Sequence, residues 1–582
     1  MGQITEKKSK KNKMNKLIKL RKFIKIYKLD GYLVPKNDEY FNEYVSQSSD
    51  RLKFISNFSG SAGFAIILKN KNYLFVDGRY SVQARIQSGR NFTIITIPQK
   101  LPKDVLKTKK KLKIGFDPKL HSTKQINFLF NIKNIILKPI NENLIDIVWS
   151  NRPKDLVKPF FSLSKKDSGQ SSKEKIIKVK NDLVKNKADY LLVTAPENVA
   201  WILNIRGYDS AFSPIPNARL LISNNGDIDF FSQLKKVTKI KKKFSKKIEF
   251  HDEDKIEKKL RSLWKNNIWL DNLSCSIHYK NLLIKNNKII EKIDPIYSLK
   301  SIKNHTEIKN MKKSHMVDGI ALTKFLFWLK KNFRKKKITE MSAQKKLEDF
   351  RKMNKTYKFP SFSTISGSGP NSAIIHYKAS LKSNRTLKKG DLYLVDSGGQ
   401  YSFGTTDVTR TISLDNNSNF IKEIYTRVLK GHIAVSNYKY KKSSKGSDID
   451  KDARKYLKKI KLDYPHGTGH GVGYFLNVHE GPQSFSSKNK VNLKPGMIIS
   501  NEPGYYKEGH FGIRIENLIY IKKNKFEELT LAPIDKNLIK KNMLNKKEID
   551  WLNKYHAKVK QNLFRFMNHE EKANLIDACS PV

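Results

Sequence analysis

Five metal-seeking side chains lie between positions 396 and 516, and a fold that uses them must bring distant strands to one point. Asp396 ends the apolar run Leu392-Tyr393-Leu394-Val395. Asp407 stands in Gly404-Thr405-Thr406-Asp407-Val408-Thr409. His470 is framed by glycines in His466-Gly467-Thr468-Gly469-His470-Gly471. Glu502 follows Ile498-Ile499-Ser500-Asn501 and precedes Pro503-Gly504, and Glu516 stands in Gly512-Ile513-Arg514-Ile515-Glu516-Asn517. An apolar run ending on a carboxylate predicts a buried strand whose last side chain points into a cleft. Flanking glycines let other backbone approach closely. Four carboxylates and one imidazole suffice for two divalent cations and a shared water, which is the equipment of a hydrolase. The oxygen-rich set favours Mn²⁺ or Co²⁺ over zinc, which usually takes more His or Cys. Singly, each residue has an ordinary reading: Asp407 as an Asx-turn, His470 as a loop residue, Glu502 as the start of a turn, Glu516 as a surface partner of Arg514. Together, in this order and with these flanks, they predict one dinuclear centre.

A chain of 582 residues predicts several domains. An internal echo divides the first half. Leu29-Asp30-Gly31-Tyr32-Leu33-Val34 is followed by Phe54-Ile55-Ser56-Asn57-Phe58-Ser59-Gly60, and Ala188-Asp189-Tyr190-Leu191-Leu192-Val193 by Trp201-Ile202-Leu203-Asn204-Ile205-Arg206-Gly207. Each block reads as a basic amphipathic helix, a short apolar strand, then an aromatic-apolar helix closed by a glycine C-cap at Gly60 or Gly207. Short runs such as Tyr73-Leu74-Phe75-Val76 and Leu220-Leu221-Ile222 alternate with helical patterns and predict mixed sheets with helical cover. Ser162 to Lys175, rich in Ser, Lys and Gly, reads as a linker. Asn304 with Glu307 predicts a capping box opening a long helix through Met311, His315 and Phe325, and a second helix runs from Thr339 through Leu347. The segment from about Leu531 reads as helical again through Ile549, Trp551 and Tyr555. The resulting boundaries are a basic tail 1–15, α/β domains 16–160 and 161–300, a catalytic domain 301–530 and its helical extension 531–582.

The formal charge of +61 would suit a nucleic-acid or anionic-membrane binder. Lysine is spread along almost the whole chain, with no compact arginine-rich or aromatic-interleaved patch, so a compositional bias on solvated faces is the better reading. The two cysteines, Cys275 and Cys579, form no metal-binding or disulfide pattern, which points to a reducing compartment. No stretch approaches the roughly 20 apolar residues of a membrane span. Lys and Arg interrupt the apolar positions after residue 16, which argues against a signal peptide.

With these blocks in view, the chain resembles the pita-bread metallopeptidases, and among them the long, three-domain cytosolic Xaa-Pro aminopeptidases. The matching blocks include Asp50-Arg51-Leu52, Phe58-Ser59-Gly60-Ser61-Ala62-Gly63, Asp77-Gly78-Arg79-Tyr80, Gly369-Pro370-Asn371-Ser372-Ala373-Ile374-Ile375-His376-Tyr377, His466 to Gly473 and Leu476-Asn477-Val478-His479-Glu480-Gly481-Pro482. The resemblance implies an α/β (α+β) fold: two related creatinase-like domains, then a pita-bread catalytic domain. It implies an aminopeptidase that hydrolyses the bond between an N-terminal residue and proline through a metal-bridged hydroxide. Asp396 would hold one metal, His470 and Glu502 the other, and Asp407 and Glu516 would bridge both. The ions would be Mn²⁺ first, with Co²⁺ or Zn²⁺ as alternatives. His376 and His479 would bind substrate carbonyls, one of them moving the proton. His466 would sit near the proline pocket, Arg79 would reach the peptide from the first domain, and Arg514 would orient Asp396. The resemblance also implies a cytoplasmic homodimer acting on proline-containing peptides, with no specific nucleic acid and no membrane. The rival in the same class is a prolidase-type dipeptidase, which usually has one N-terminal domain. The rival in another class is a non-catalytic pita-bread protein that binds nucleic acid.

Overall fold

Each N-terminal domain is built on a mixed six-stranded sheet, and the two sheets share one topology. The computed structural model describes residues 16–106 and 110–582; the basic tail expected over residues 1–15 lies outside them. The first sheet runs Thr93–Ile97, Asn72–Asp77, Phe64–Leu68, Gly31–Pro35, Leu112–Phe116, Ile135–Pro139. The second runs Ile248–His251, Ile228–Phe231, Arg219–Ser223, Tyr190–Val193, Asn267–Leu270, Lys288–Glu291. In both, the first strand in sequence sits centrally, pairs antiparallel with the second and parallel with the fifth. The internal echo is therefore a structural repeat.

The echo was misjudged in one respect. The helix Arg51–Ser56 ends on Asn57 at φ 63°, not on Gly60, and Asn204, at φ 52°, follows the helix Pro196–Ile202 ahead of Gly207. Asparagine visits the left-handed region at little cost. The glycines serve close packing instead: a Cβ on Gly60 would lie 2.2 Å from the Phe58 ring, and one on Gly207 2.8 Å from the Ile215 carbonyl. The expected linker is also ordered. Ser164 caps a helical turn Lys165–Ser168, Gly169 takes φ 73°, and Ser171 with Glu174 forms a capping box on the helix Ser172–Lys185. Ser164, Gly169 and Ser171, which suggested a linker, are helix caps.

By its contacts the chain forms two units. Residues of both N-terminal domains make up the first, and Ser164–Gln170, Phe212–Pro214 and Tyr297–Val582 the second. Within the first, Tyr40 OH donates to Glu253 at 2.9 Å, and the Arg219 guanidinium lies 3.9 Å from the Tyr40 ring centre.

The second unit contains the long helix His305–Asn332, whose capping box at Asn304 and Glu307 is present, followed by Glu340–Lys352 capped by Thr339. Its strands form several small sheets. Leu392–Ser397 lies between Ile365–Ser368 and Val408–Ser413, and a five-stranded sheet contains Gly469–Gly471, Glu480–Phe485, Ile498–Asn501, Asn517–Ile521 and Phe526–Glu528. The final helix was expected too early: residues 531–545 hold two short 3₁₀ turns, and the helices are Lys546–Leu563 and His569–Ala578. This segment packs on the catalytic strands. Leu552, Tyr555, Val559 and Leu563 share a core with Ile513 and Ile515. Arg410, fully buried, donates to the carbonyls of Ala532, Pro533 and Glu516 and to Tyr555 OH. Cys275 and Cys579 are buried free thiols. Among the described residues no helix is long and apolar enough to cross a membrane.

Candidate metal centre

The register of the strands converges the five side chains. Asp396 sits opposite Thr409 in the antiparallel pair Leu392–Ser397 with Val408–Ser413, and Asp407 immediately precedes the second strand. Asn501 pairs with Asn517, so Glu502 just past one strand and Glu516 just before the other emerge at the same edge. Gly471 pairs with Ile499, and a Cβ on Gly469 would lie 1.8 Å from the Ser500 carbonyl. Only glycine allows the His470 strand to approach that closely.

Ligand atoms of Asp407, His470 and Glu516 lie within 4.8 Å of one another. His470 Nε2 is 3.4 Å from Asp407 Oδ2 and 3.5 Å from Glu502 Oε1. These separations are long for charge-assisted hydrogen bonds. They are near the spacing of two donor atoms sharing one ion, since ligands about 2.1 Å from a cation stand about 3.0 Å apart at octahedral and about 3.4 Å apart at tetrahedral angles. His470 Nδ1 faces the Gly471 carbonyl at 3.0 Å. Nδ1–H donates to that carbonyl and leaves the Nε2 lone pair facing the carboxylates, the tautomer of a metal ligand.

Electrostatics place the remaining carboxylates in the same cup. Burial, then the charges of Asp396 and Glu502, push Asp407 far above the usual carboxylate range. Burial, then Asp407, Glu502 and Asp396, do the same to Glu516. Asp396 Oδ1 and Asp407 Oδ1 are buried without a hydrogen-bond partner. Buried oxygens of this kind are costly unless something fills their lone pairs. Mutually repelling carboxylates and orphaned oxygens fit divalent cations, and the hard donor set fits Mn²⁺-like ions.

Neighbouring side chains set each donor. Arg514 Nη2 donates to Asp396 Oδ2 at 2.6 Å. Thr409 Oγ1 donates to Glu516 Oε2 at 2.7 Å, and Ser500 Oγ to Glu502 Oε1 at 3.0 Å. Thr409 and Ser500 were missed in the sequence, and their signal was faint: polar residues inside otherwise apolar strands beside a ligand. Arg514 also donates to Tyr506 OH at 2.6 Å, and that hydroxyl lies 2.9 Å from His466 Nε2. Tyr506 thus connects His466 to the cup.

His479 stands edge-on to His470, ring centres 4.4 Å apart. The next residue, Glu480, is buried against Lys303, with Lys300 at 3.8 Å. His376 is half-buried after the turn Gly369–Ala373. That turn is tied to the Arg514 strand, since Gly512 N donates to Ser372 Oγ at 2.7 Å, and Tyr377 OH donates to buried Glu340 at 2.7 Å. Arg79 belongs to the first unit, where it forks onto Asp77 at 2.8 and 3.0 Å. Among the described residues another cluster, Asp229, Glu249 and His251, lies in the second N-terminal domain. Lys259 Nζ, 2.9 Å from Asp229, already balances its charge.

Comparison with known proteins agrees with this geometry. Residues 309–523 match metallopeptidase family M24, residues 523–582 the C-terminal region of that peptidase group, and residues 16–142 and 151–307 each match a creatinase/prolidase N-terminal domain. The chain is 37% identical to Xaa-Pro aminopeptidase 1 of Dictyostelium discoideum over 95% of this chain and 92% of that protein. It is 37% identical to a probable Xaa-Pro aminopeptidase P of Laccaria bicolor, covering 96% and 92%. The crystal structure of X-prolyl aminopeptidase from Caenorhabditis elegans, described as a cytosolic enzyme with a di-nuclear active site, superposes with a TM-score of 0.92 at 30% identity, covering 98% of this chain and 100% of that one. The prolidase from Pyrococcus horikoshii reaches a TM-score of 0.53 at 28% identity and covers 62% of this chain.

Proposed function

The chain belongs to metallopeptidase family M24, and from that membership and the cup we propose a Xaa-Pro aminopeptidase, which releases an N-terminal residue that precedes proline. The carrying observation is the meeting of Asp407, His470 and Glu516, with Asp396 and Glu502 beside them, around buried carboxylate oxygens that lack partners. A prolidase is disfavoured because the Dictyostelium and Laccaria relatives, matched over more than 90% of both chains, carry the name Xaa-Pro aminopeptidase, and the solved structure that superposes over 98% of this chain is named an X-prolyl aminopeptidase.

In this reading Asp396 would hold one ion, His470 and Glu502 a second, and Asp407 and Glu516 both; Mn²⁺ suits the set, with Co²⁺ or Zn²⁺ as alternatives. When bound, the ions supply an activated water and polarise the scissile carbonyl. The side chains of the chain do the rest. The nitrogen before proline carries no hydrogen, so recognition rests on the shape of the ring rather than on an N–H. His376 and His479 bind the substrate carbonyls, and one of them delivers the proton that the departing proline nitrogen needs. His466, held by Tyr506, borders the proline pocket. Arg514 holds Asp396 in place through its Nη2 hydrogen bond, and Arg79 is assigned to the peptide. The same reading gives a cytoplasmic homodimer acting on proline-containing peptides, with the boundaries 16–160, 161–300, 301–530 and 531–582.

The test is hydrolysis of Arg-Pro-Pro by the Mn²⁺-loaded protein, followed by mass spectrometry. Release of free arginine is expected. Cleavage of Arg-Pro with Arg-Pro-Pro left intact would make the protein a dipeptidase, and inertness toward both would overturn the reading.

A further inference from the structure

Between Asp396 and Asp407 the chain forms a small hairpin, Gly399–Tyr401 against Gly404–Thr405, in which Gln400 pairs with Thr405. Both side chains are fully buried. Thr405 Oγ1 donates to Gln400 Oε1 at 2.8 Å, which fixes the orientation of the amide. Gln400 Nε2 then donates to the Leu476 carbonyl at 2.8 Å and to the Phe212 carbonyl at 3.0 Å. Leu476 N in turn donates to Thr405 Oγ1 at 3.3 Å. One amide and one hydroxyl therefore hold Leu476 by both its N–H and its C=O.

That grip falls where the chain needs it. Val472 N still donates to the Ile498 carbonyl at 3.1 Å, but residues 473–479 lie outside any strand and beyond that ladder. Phe475 has φ 45°, a region bulky residues occupy only when their surroundings impose it. Gly473 N closes the turn on the Asn477 carbonyl at 3.0 Å. Three residues beyond Leu476 stands His479, against the His470 ring. An apolar pair would fill the hairpin without the desolvation cost of two buried polar side chains. What the polar pair adds is a directional hold on one peptide, from a hairpin flanked in sequence by Asp396 and Asp407.

We propose that Gln400 and Thr405 are positioning residues that set His479 relative to the metal ligands through the Leu476 peptide. The proposal rests on the reading of His479 as a substrate-binding or proton-moving group. A displacement of about 1 Å in such a group lowers turnover by about 100-fold.

The experiment compares T405V, T405S, Q400M and H479A with wild type, each loaded with Mn²⁺, for kcat and KM on Arg-Pro-Pro and for metal per chain. T405V and Q400M should lower kcat about 10- to 100-fold with KM within about 3-fold and full metal content. T405S keeps the hydroxyl and should restore kcat. Wild-type kcat in T405V and Q400M, with H479A inactive, overturns the positioning role. Loss of metal together with kcat also overturns it, placing the pair's effect on the cup itself. Wild-type kcat in H479A would instead remove the reading of His479 on which the proposal stands. If T405V does not fold, Q400M, of similar length and unable to donate to either carbonyl, decides the matter.

Discussion

Arg514 Nη2 lies 2.6 Å from Asp396 Oδ2 while Nε of the same guanidinium lies 3.0 Å from Thr409 Oγ1. Thr409 passes its own hydrogen to Glu516 Oε2. One planar cation thus orients carboxylates at two places in the cup, one directly and one through a hydroxyl.

Arg514→Lys keeps the charge but loses the fork, and with it the bond to Thr409. Loss of such an orienting partner typically weakens metal binding 10- to 100-fold. Calorimetric titration of the metal-free protein with Mn²⁺ should show that drop, with activity partly recovered at high Mn²⁺. An unchanged affinity would mean that Asp396 needs no such support.

Removing metal should leave a cup that repels itself. Both Asp407 and Glu516 are pushed upward, so the stability they allow is present at low pH and lost as pH rises through their raised values. In the chelated protein, Asp407→Asn should therefore melt higher than wild type, and the gap should widen from pH 6 to pH 8.5. Adding Mn²⁺ should reverse the order, because the variant lacks a ligand. Scanning calorimetry with and without chelator reads both signs; a variant less stable in both states would contradict the repulsion.

The sequence carried the acidic and histidine residues of the cup clearly, because each follows an apolar run or lies among glycines. Their supports were harder to read. Thr409, Ser500 and Tyr506 act through partners that only strand register brings near, and nothing local marks Gln400 as the holder of Leu476. The duplicated domains were legible as repeated helix–strand patterns, since hydrophobic period survives divergence. The left-handed positions were not: Asn57 and Asn204 took the role expected of glycine, because both residue types tolerate that conformation and packing decides between them. The 3₁₀ turns after Leu531 were read as helix, because periodicity hardly separates short turns from helical ends.

Acid should loosen the C-terminal helix. His556 is fully buried, and its Nε2 accepts the Ile534 N–H at 3.1 Å, which requires a neutral ring. Burial, then Arg410 and Lys536 nearby, push its pKa down to about 3. A depressed value contributes stability above the unfolded value of about 6.5 that is lost as pH falls toward 3. His556→Gln can accept the same N–H without titrating. Between pH 6.5 and 4 it should lose less stability than wild type, as followed by Trp551 fluorescence, since Trp551 stacks on Tyr555 at 5.4 Å. Parallel acid transitions in the two proteins would exclude His556 as a contributor.

The buried Lys303–Glu480 pair should be strongly coupled. Each side chain is about 1% exposed, and among the described residues the Glu480 carboxylate also meets Lys300 Nζ at 3.8 Å and Gln483 Nε2 at 3.3 Å. Lys303→Met would leave the carboxylate without its nearest cation, and breaking a buried pair in this way costs about 3–5 kcal/mol. Glu480→Leu would strand the ammonium with the carbonyls of Lys300 and Ser301 as its remaining acceptors. The double variant removes both charges of the pair and leaves Lys300, 2% exposed, over the Tyr297 ring at 4.8 Å, so it should still be more stable than the sum of the single losses predicts. Pulse proteolysis in urea measures the cycle without assuming that the whole chain unfolds in one step. Additive losses would show that the two charges are held independently by their other contacts. A large coupling would locate a rigid anchor immediately after His479, on the opposite side from the grip on Leu476.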